Sequence, residues 1–149
     1  MRTLVDAGDF GTLVLDEPAN QGGTGEGPSP LQAVVGALCG CEAVTFRRSA
    51  TEVGLHYDGI AFEGAFSIDI RGRLGDRSVR THFQSVRVRA IVSTSSSIDE
   101  LAALIEETEA RCPVFNLLRD ASVDVQISWL RESNGDLTLV PRSPTTNKV

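Results

Sequence analysis

Three cysteines are the side chains in this sequence best suited to chemistry of their own: Cys39 and Cys41 in the run LCGCEA, and Cys112 in ARCPVF. The thiolate is the reactive form, so a cysteine's surroundings decide its use. Cys112 stands immediately before a proline that can open a helix, where unpaired backbone N–H groups and the helix dipole favour a thiolate. Cys41 lies in a helical stretch with Val34, Ala37, Leu38 and Val44 beside it at helical spacing, which predicts apolar walls. Cys39 is two residues away, about 200° around the helix, and cannot bridge to Cys41 without unwinding, so it reads as core. Taken singly, Cys41 is equally compatible with a small buried hydrophobe and Cys112 with an inert helix-boundary residue.

Other chemistries fit less well. Three cysteines are too few, and odd in number, for the disulfide framework of a small secreted domain. A zinc site needs four nitrogen or sulfur ligands, whereas the C-x-C has no second pair and the only histidines are His56 and His82. No metal and no cofactor are therefore expected. Neither histidine has a carboxylate or nucleophile at a spacing that marks a hydrolase. The glycines of GGTGEG follow no buried parallel strand and lack the Lys-Ser/Thr of a phosphate loop, so they read as a flexible rim. A net charge of -6 with scattered arginines argues against nucleic acid as a partner. No apolar run approaches the roughly 20 residues that cross a bilayer, and MRTLVDAGDFG lacks a signal-peptide core, which predicts a cytosolic protein.

The elements that must position the cysteines follow from local pattern. With 149 residues, 41% hydrophobic and 23% charged, the chain predicts one domain over 1–149 with a real core. Two short strands, 3–6 and 12–16, flank a turn at Gly8 and Asp9. The loop EPANQGGTGEGPSP leads to Ser29, Pro30 and Gln32, a capping box with proline at the first helical position. The helix it opens, LQAVVGALCGCEAVTF, is apolar on nearly every side and predicts a central helix buried all round, ending at Gly54. Gly36 and Gly40 within it predict close approach of a second helix.

Beyond the helix, Ile60, Phe62, Gly64, Phe66, Ile68 and Ile70 alternate as a half-buried strand, with a turn at 72–76. SVRTHFQSVRVRAIVS predicts its antiparallel partner. Ser97 and Glu100 form a second capping box ahead of the stripe Ile98, Leu101, Leu104 and Ile105. That helix stops near Arg111, because the residue before Pro113 resists helical geometry, and PVFNLLRDA starts a new one. Val123, Val125, Ile127 and Trp129 mark a strand, NGDLTLV a short return, and RSPTTNKV a polar tail that frays. The order is that of an α+β fold, antiparallel strands with helices packed against them.

The two cysteine segments together resemble a known family. GGTGEGPSPLQAVVGALCGCEA is similar to the OsmC/Ohr segment in which a Gly-rich loop, a G-P-S-P turn and a buried helix lead to a reactive cysteine, and Cys41 occupies that place. ARCPVFNLL resembles the C-P-V element that carries the family's partner cysteine, here Cys112, with the strand HFQSVRVRAIV between the two. The resemblance implies an OsmC-like antiparallel sheet packed on a long buried central helix, an intertwined homodimer with active sites at the subunit interface, and a cysteine-based organic hydroperoxide reductase. Cys41 would attack the peroxide and become a sulfenic acid, Cys112 would condense with it, and a dithiol would reduce the disulfide.

The sequence departs from that pattern at the thiolate's charge partners. Peroxidase members carry an arginine in the N-terminal region and a glutamate early in the helix, and here Leu31 and Gln32 stand near the glutamate's place. No arginine lies between Arg2 and Arg47, so Arg2, Arg47 or Arg48 would have to activate Cys41. Glu42 follows Cys41 directly, but adjacent helix positions do not face each other, which makes it a poor substitute. The departure favours an alternative, an OsmC-like protein that binds a small apolar ligand without turnover. A third reading leaves both cysteines inert.

Overall fold

The short Thr- and Val-bearing runs at the start pair as expected, β1 (Thr3–Asp6) antiparallel to β2 (Thr12–Leu15), with Thr3 opposite Leu15 and Asp6 opposite Thr12. The computed structural model describes residues 1–142. Its chain divides into two compact units, Met1–Ala37 and Leu38 onward, the division falling inside the helix α1 (Pro30–Val53).

In the first unit the Gly-rich loop is not the flexible rim its composition suggests. The Asp16 carboxylate accepts the backbone N–H groups of Glu17 (2.9 Å), Thr24 (2.8 Å) and Glu26 (3.2 Å) and the Thr24 hydroxyl (2.6 Å). Further backbone bonds run from the Asp16 N–H to Pro28 and from the Gly25 N–H to Glu17. At Gly23 a β-carbon would stand 1.7 Å from the Glu17 carbonyl oxygen, so only glycine lets the loop fold back this closely. Composition marks such glycines as freedom, whereas one buried carboxylate has turned them into fixed turns. The same hydrogen bonds, the Thr24 hydroxyl first among them, hold the Asp16 carboxyl well below the usual carboxylate range.

Helix α1 begins with the expected reciprocal cap, Ser29 N–H to Gln32 Oε1 at 2.8 Å and Gln32 N–H to Ser29 Oγ at 3.2 Å, and stops at Gly54 with φ of +72°. It is not buried all round. From Leu38 onward the buried positions are Leu38, Glu42, Thr45, Phe46, Ser49 and Ala50, a single face, while Gly40, Val44, Arg47, Arg48 and Thr51 lie exposed on the other. Small and apolar residues on both sides masked this division in the sequence. Among the described residues no atom outside the helix's own turns comes within 4 Å of where a β-carbon would stand at Gly36 or Gly40, so no second helix of these residues approaches there.

The second unit carries a four-stranded sheet in the order β3 (Gly59–Ser67), β4 (Ser85–Ser93), β5 (Asp124–Ser133), β6 (Asp136–Leu139). The α+β class stands, and β3–β4 and β5–β6 are antiparallel as expected. Strand β3 ends at Ser67, short of Ile68 and Ile70, because Asp69 caps a short helix α2 (Ile70–Arg73). The β4–β5 pair runs parallel, Ser85 beside Asp124 and Ala90 beside Trp129. The reason is the connection: helices α3 (Ile98–Arg111) and α4 (Pro113–Asp120) carry the chain back to the starting end of β4, as a parallel pair requires. Asn134 and Gly135, both at positive φ, make the tight turn into β6.

Val86, Val88, Ala90 and Val92 of β4, with Ile127 and Trp129 of β5, form the buried sheet face. Phe46 of α1 stacks on Trp129 with ring centroids 5.6 Å apart, and Tyr57 meets Phe46 edge-on at 5.1 Å. Helix α3 buries Leu101, Leu104 and Ile105 as its stripe predicts, behind a complete Ser97–Glu100 capping box. Among the described residues no helix is long and apolar enough to cross a membrane. The tail expected to fray from residue 142 has Arg142 engaged, as described below, and from residue 143 lies outside the described residues.

Two outcomes follow for stability. Ser97→Ala removes the cap of the helix that leads to Cys112 and is expected to cost about 1 kcal/mol in chemical denaturation, with no cost contradicting the cap's role. Asp16 has a folded pKa below its unfolded value, so its contribution is present at neutral pH and is lost as the pH falls below about 4. Asp16→Asn should speed hydrogen exchange at the Thr24 and Glu26 amides at neutral pH. Unchanged exchange there would show that the loop does not depend on the carboxylate.

Candidate functional site

Cys112 is placed by the junction between α3 and α4. Its backbone is extended, φ -74° and ψ 113°, as the residue before Pro113 must be. Its N–H closes α3 on Thr108 O at 3.0 Å, and its carbonyl accepts the Asn116 N–H at 3.1 Å. The Asn116 side-chain amide donates to the carbonyls of Glu109 (3.0 Å), Ala110 (3.2 Å) and Cys112 (2.8 Å). It thereby fills acceptors that the end of α3 leaves open. Arg111, next in the chain, forks onto Glu52 of α1 at 2.6 and 2.9 Å. The junction is pinned on both sides, and the Cys112 side chain is turned fully inward.

Two groups of α1 meet it there. The thiol of Cys41, half-buried at the edge of the helix's buried face, acts on Cys112, and so does the carboxyl of Glu42. Successive helix positions diverge by about 100°, so Cys41 and Glu42 do not face each other, but a third group lying over the gap between them reaches both. The structure therefore brings together the two cysteines singled out from the sequence. Cys39 lies on the opposite edge of the same helix face; it is half-buried rather than core, and burial raises its pKa.

The electrostatics correct one expectation. The start of α4 does favour a Cys112 thiolate, with the Phe115 N–H 3.5 Å from Sγ, but complete burial and then the Glu42 carboxyl push the thiol's pKa far above its ordinary value. Desolvation of the charged form outweighs one helix terminus. Cys112 is held as a neutral thiol.

Glu42 is itself unusual. It is fully buried, and among the described residues neither carboxylate oxygen has a hydrogen-bond partner of regular geometry, even though the Cys112 thiol lies close enough to bias its ionisation. Burial pushes its pKa up to about 7, the charge of Glu109 adds to the rise, and Cys112 and Arg142 oppose it. Glu109, on α3, is also raised by burial, but it is well partnered: its Oε1 accepts the Trp129 Nε1–H at 3.0 Å, and Arg142 pairs with its other oxygen.

From the sequence Glu42 was weighed only as a charge partner for Cys41 and set aside, Glu109 was not singled out, and both left a signal. Glu42 falls at helical spacing between Leu38 and Phe46, and Glu109 extends the stripe of Leu101 and Ile105. A carboxylate on an apolar face is a buried charge in need of an explanation.

The arginines proposed for Cys41 are otherwise disposed. Arg2 pairs with Glu26 at 2.9 Å. Arg47 and Arg48 are exposed, lining an open groove with Val44, Thr51 and Glu52 that Cys41 does not line. Val44, expected as an apolar wall of Cys41, is 55% exposed. Gln32, near the place of the family glutamate, is spent on the helix cap. Among the described residues no group of three or more His, Cys, Asp and Glu side chains is arranged to hold a metal ion.

Comparison with known proteins gives this site a family. No curated protein matches the chain significantly. An OsmC-like protein from Mycoplasma pneumoniae has a similar structure, with a TM-score of 0.69 at 19% identity over 87% of this chain and 95% of its own. So do an organic hydroperoxide resistance protein from Legionella pneumophila (TM-score 0.62, 21% identity, 87% and 96%) and the organic hydroperoxide resistance protein OhrB of Bacillus subtilis (0.57, 19%, 87% and 97%). At these identities the likeness is one of fold. The family model described as OsmC-like protein matches residues 23–128, which carry both Cys41 and Cys112, and the chain belongs to the OsmC-like family.

Proposed function

We propose that the chain is a thiol peroxidase for organic hydroperoxides, in which Cys41 is the attacking and Cys112 the resolving cysteine. The Cys41 thiolate attacks the outer peroxide oxygen; the O–O bond breaks, an alkoxide leaves and takes a proton, and Cys41 becomes a sulfenic acid. Cys112 Sγ then displaces hydroxide from the Cys41 sulfur, giving a disulfide and water. An external dithiol restores both thiols.

The observation that carries this reading is the unequal pair: a half-buried thiol of Cys41 acting on a fully buried Cys112. A thiol kept neutral and dry does not compete for peroxide, but it is at hand when a sulfenic acid forms next to it. Family membership and structural neighbours named for hydroperoxide resistance support the substrate class. The reading includes a single functional domain over 1–149, a cytosolic location and an intertwined homodimer. The exposed Val44 and the open space over Gly40 on α1 support the dimer. A second subunit would complete the apolar walls around Cys41.

A second reading, a binder of small apolar ligands without turnover, is favoured by Leu31 and the cap-bound Gln32 standing where a thiolate's glutamate partner is expected.

Thiol titration before and after one equivalent of cumene hydroperoxide separates the two. The wild type should lose two of its three thiols. Cys41→Ser should lose none, and Cys112→Ser should lose one and then over-oxidise on repeated exposure. Unchanged thiols, together with thermal stabilisation by the intact hydroperoxide, would favour the binder. Light scattering should give twice the mass of one chain, and a monomer would contradict the dimer.

A further inference from the structure

In the reaction just described the Cys112 proton ends on the departing hydroxide and needs a carrier to reach it. Cys112 must lose it to become a nucleophile, yet its surroundings hold the thiol neutral, and no water-exposed base can reach a side chain with no exposed surface. One acceptor is in the pocket. Glu42 is fully buried, is next in the chain to Cys41, lies close enough to the Cys112 thiol for each to bias the other's ionisation, and offers two oxygens that no donor occupies among the described residues. Glu109 cannot serve, because the Trp129 indole and Arg142 already engage its oxygens.

A buried carboxyl without partners costs stability, and a Leu of similar size would remove that cost. The packing gives Glu42 no structural role, since it caps no helix and bridges no ion pair among the described residues.

Building on the peroxidase reading, we propose that Glu42 is the general base of disulfide closure, a catalytic residue for the second half of the reaction. Its carboxylate takes the thiol proton of Cys112 as Cys112 Sγ attacks the Cys41 sulfenic sulfur. The S–S bond forms with the Cys112 electron pair, the S–O bond breaks, and the departing hydroxide takes the proton back from Glu42 to leave as water. Glu42 ends the step as it began, and no further oxidant or reductant is needed.

The charges around Glu42 suit a base. Glu109 from α3 raises its proton affinity, Arg142 from beyond β6 lowers it, and Cys112 and Cys39 are the other titratable groups in play. The balance, near neutrality, is where a base is both available and effective.

Rapid mixing of reduced protein with cumene hydroperoxide, quenched at intervals, tests this. A cyclic dione that adds to sulfenic acids reports the first step, and the intact mass reports closure. Glu42→Gln should leave sulfenic acid formation within about twofold and slow closure roughly a hundredfold at neutral pH. In the wild type the closure rate should rise as the pH passes through about 7; in the Gln variant that rise should vanish, and Glu42→Asp should restore it in part. Equal closure rates and equal pH profiles in wild type and Gln variant would overturn the role of Glu42 while leaving the peroxidase reading intact. Absence of any sulfenic acid in the wild type would overturn both. Should the Gln variant not fold, a wild-type closure rate that does not change with pH across neutrality would by itself overturn the proposal.

Discussion

A thiol and a carboxyl buried in the same dry pocket cannot both give up their protons, and this constraint organises the centre of the molecule. Cys112 and Glu42 have no exposed surface, and the Glu42 carboxyl makes ionisation of Cys112 harder while the Cys112 thiol eases that of Glu42. In water the two groups would titrate independently; in a medium of low dielectric a single negative charge is the most the pair will hold. The half-buried Cys41 stands at the rim of this pair, where it acts on Cys112. The division of labour proposed for the two cysteines rests on their difference in burial.

The fold supplies that difference by anchoring Cys112 from several directions. The proline after it forces an extended backbone, Asn116 closes the carbonyls at the end of α3, and Arg111 fastens the same turn to α1. Helix α1 meets Cys112 through Cys41 and Glu42, and its Phe46 rests on Trp129. Trp129 in turn holds Glu109 by its indole N–H. The aromatic core and the polar pocket thus share members, so packing fixes the geometry of the acids.

Much of this was legible in the sequence, for identifiable reasons. Caps at Ser29 and Ser97, the glycine stop at Gly54 and the proline break at 113 are local signals, and each appears where its chemistry places it. The pairing of Cys41 with Cys112 came from resemblance, since they stand 71 positions apart in the chain and nothing local links them. What escaped was non-local. The parallel β4–β5 pairing depends on how two helices return the chain, the order of the Gly-rich loop depends on one carboxylate at Asp16, and the exposed face of α1 was hidden by residues too small to show a contrast. Glu42 was discounted because its neighbour in the chain is Cys41, whereas its partner in space is Cys112.

The central claim is that Cys41 and Cys112, and no other pair, meet to form a bond. Proteolytic peptide mapping under non-reducing conditions, after a single oxidation by hydroperoxide, tests it most directly. The account predicts one cross-linked species joining the peptide that contains Cys41 to the peptide that contains Cys112, with linkage assigned to Cys41 by fragmentation and Cys39 still free. A bond through Cys39, or a Cys112 that stays unlinked while Cys41 oxidises fully, would contradict it.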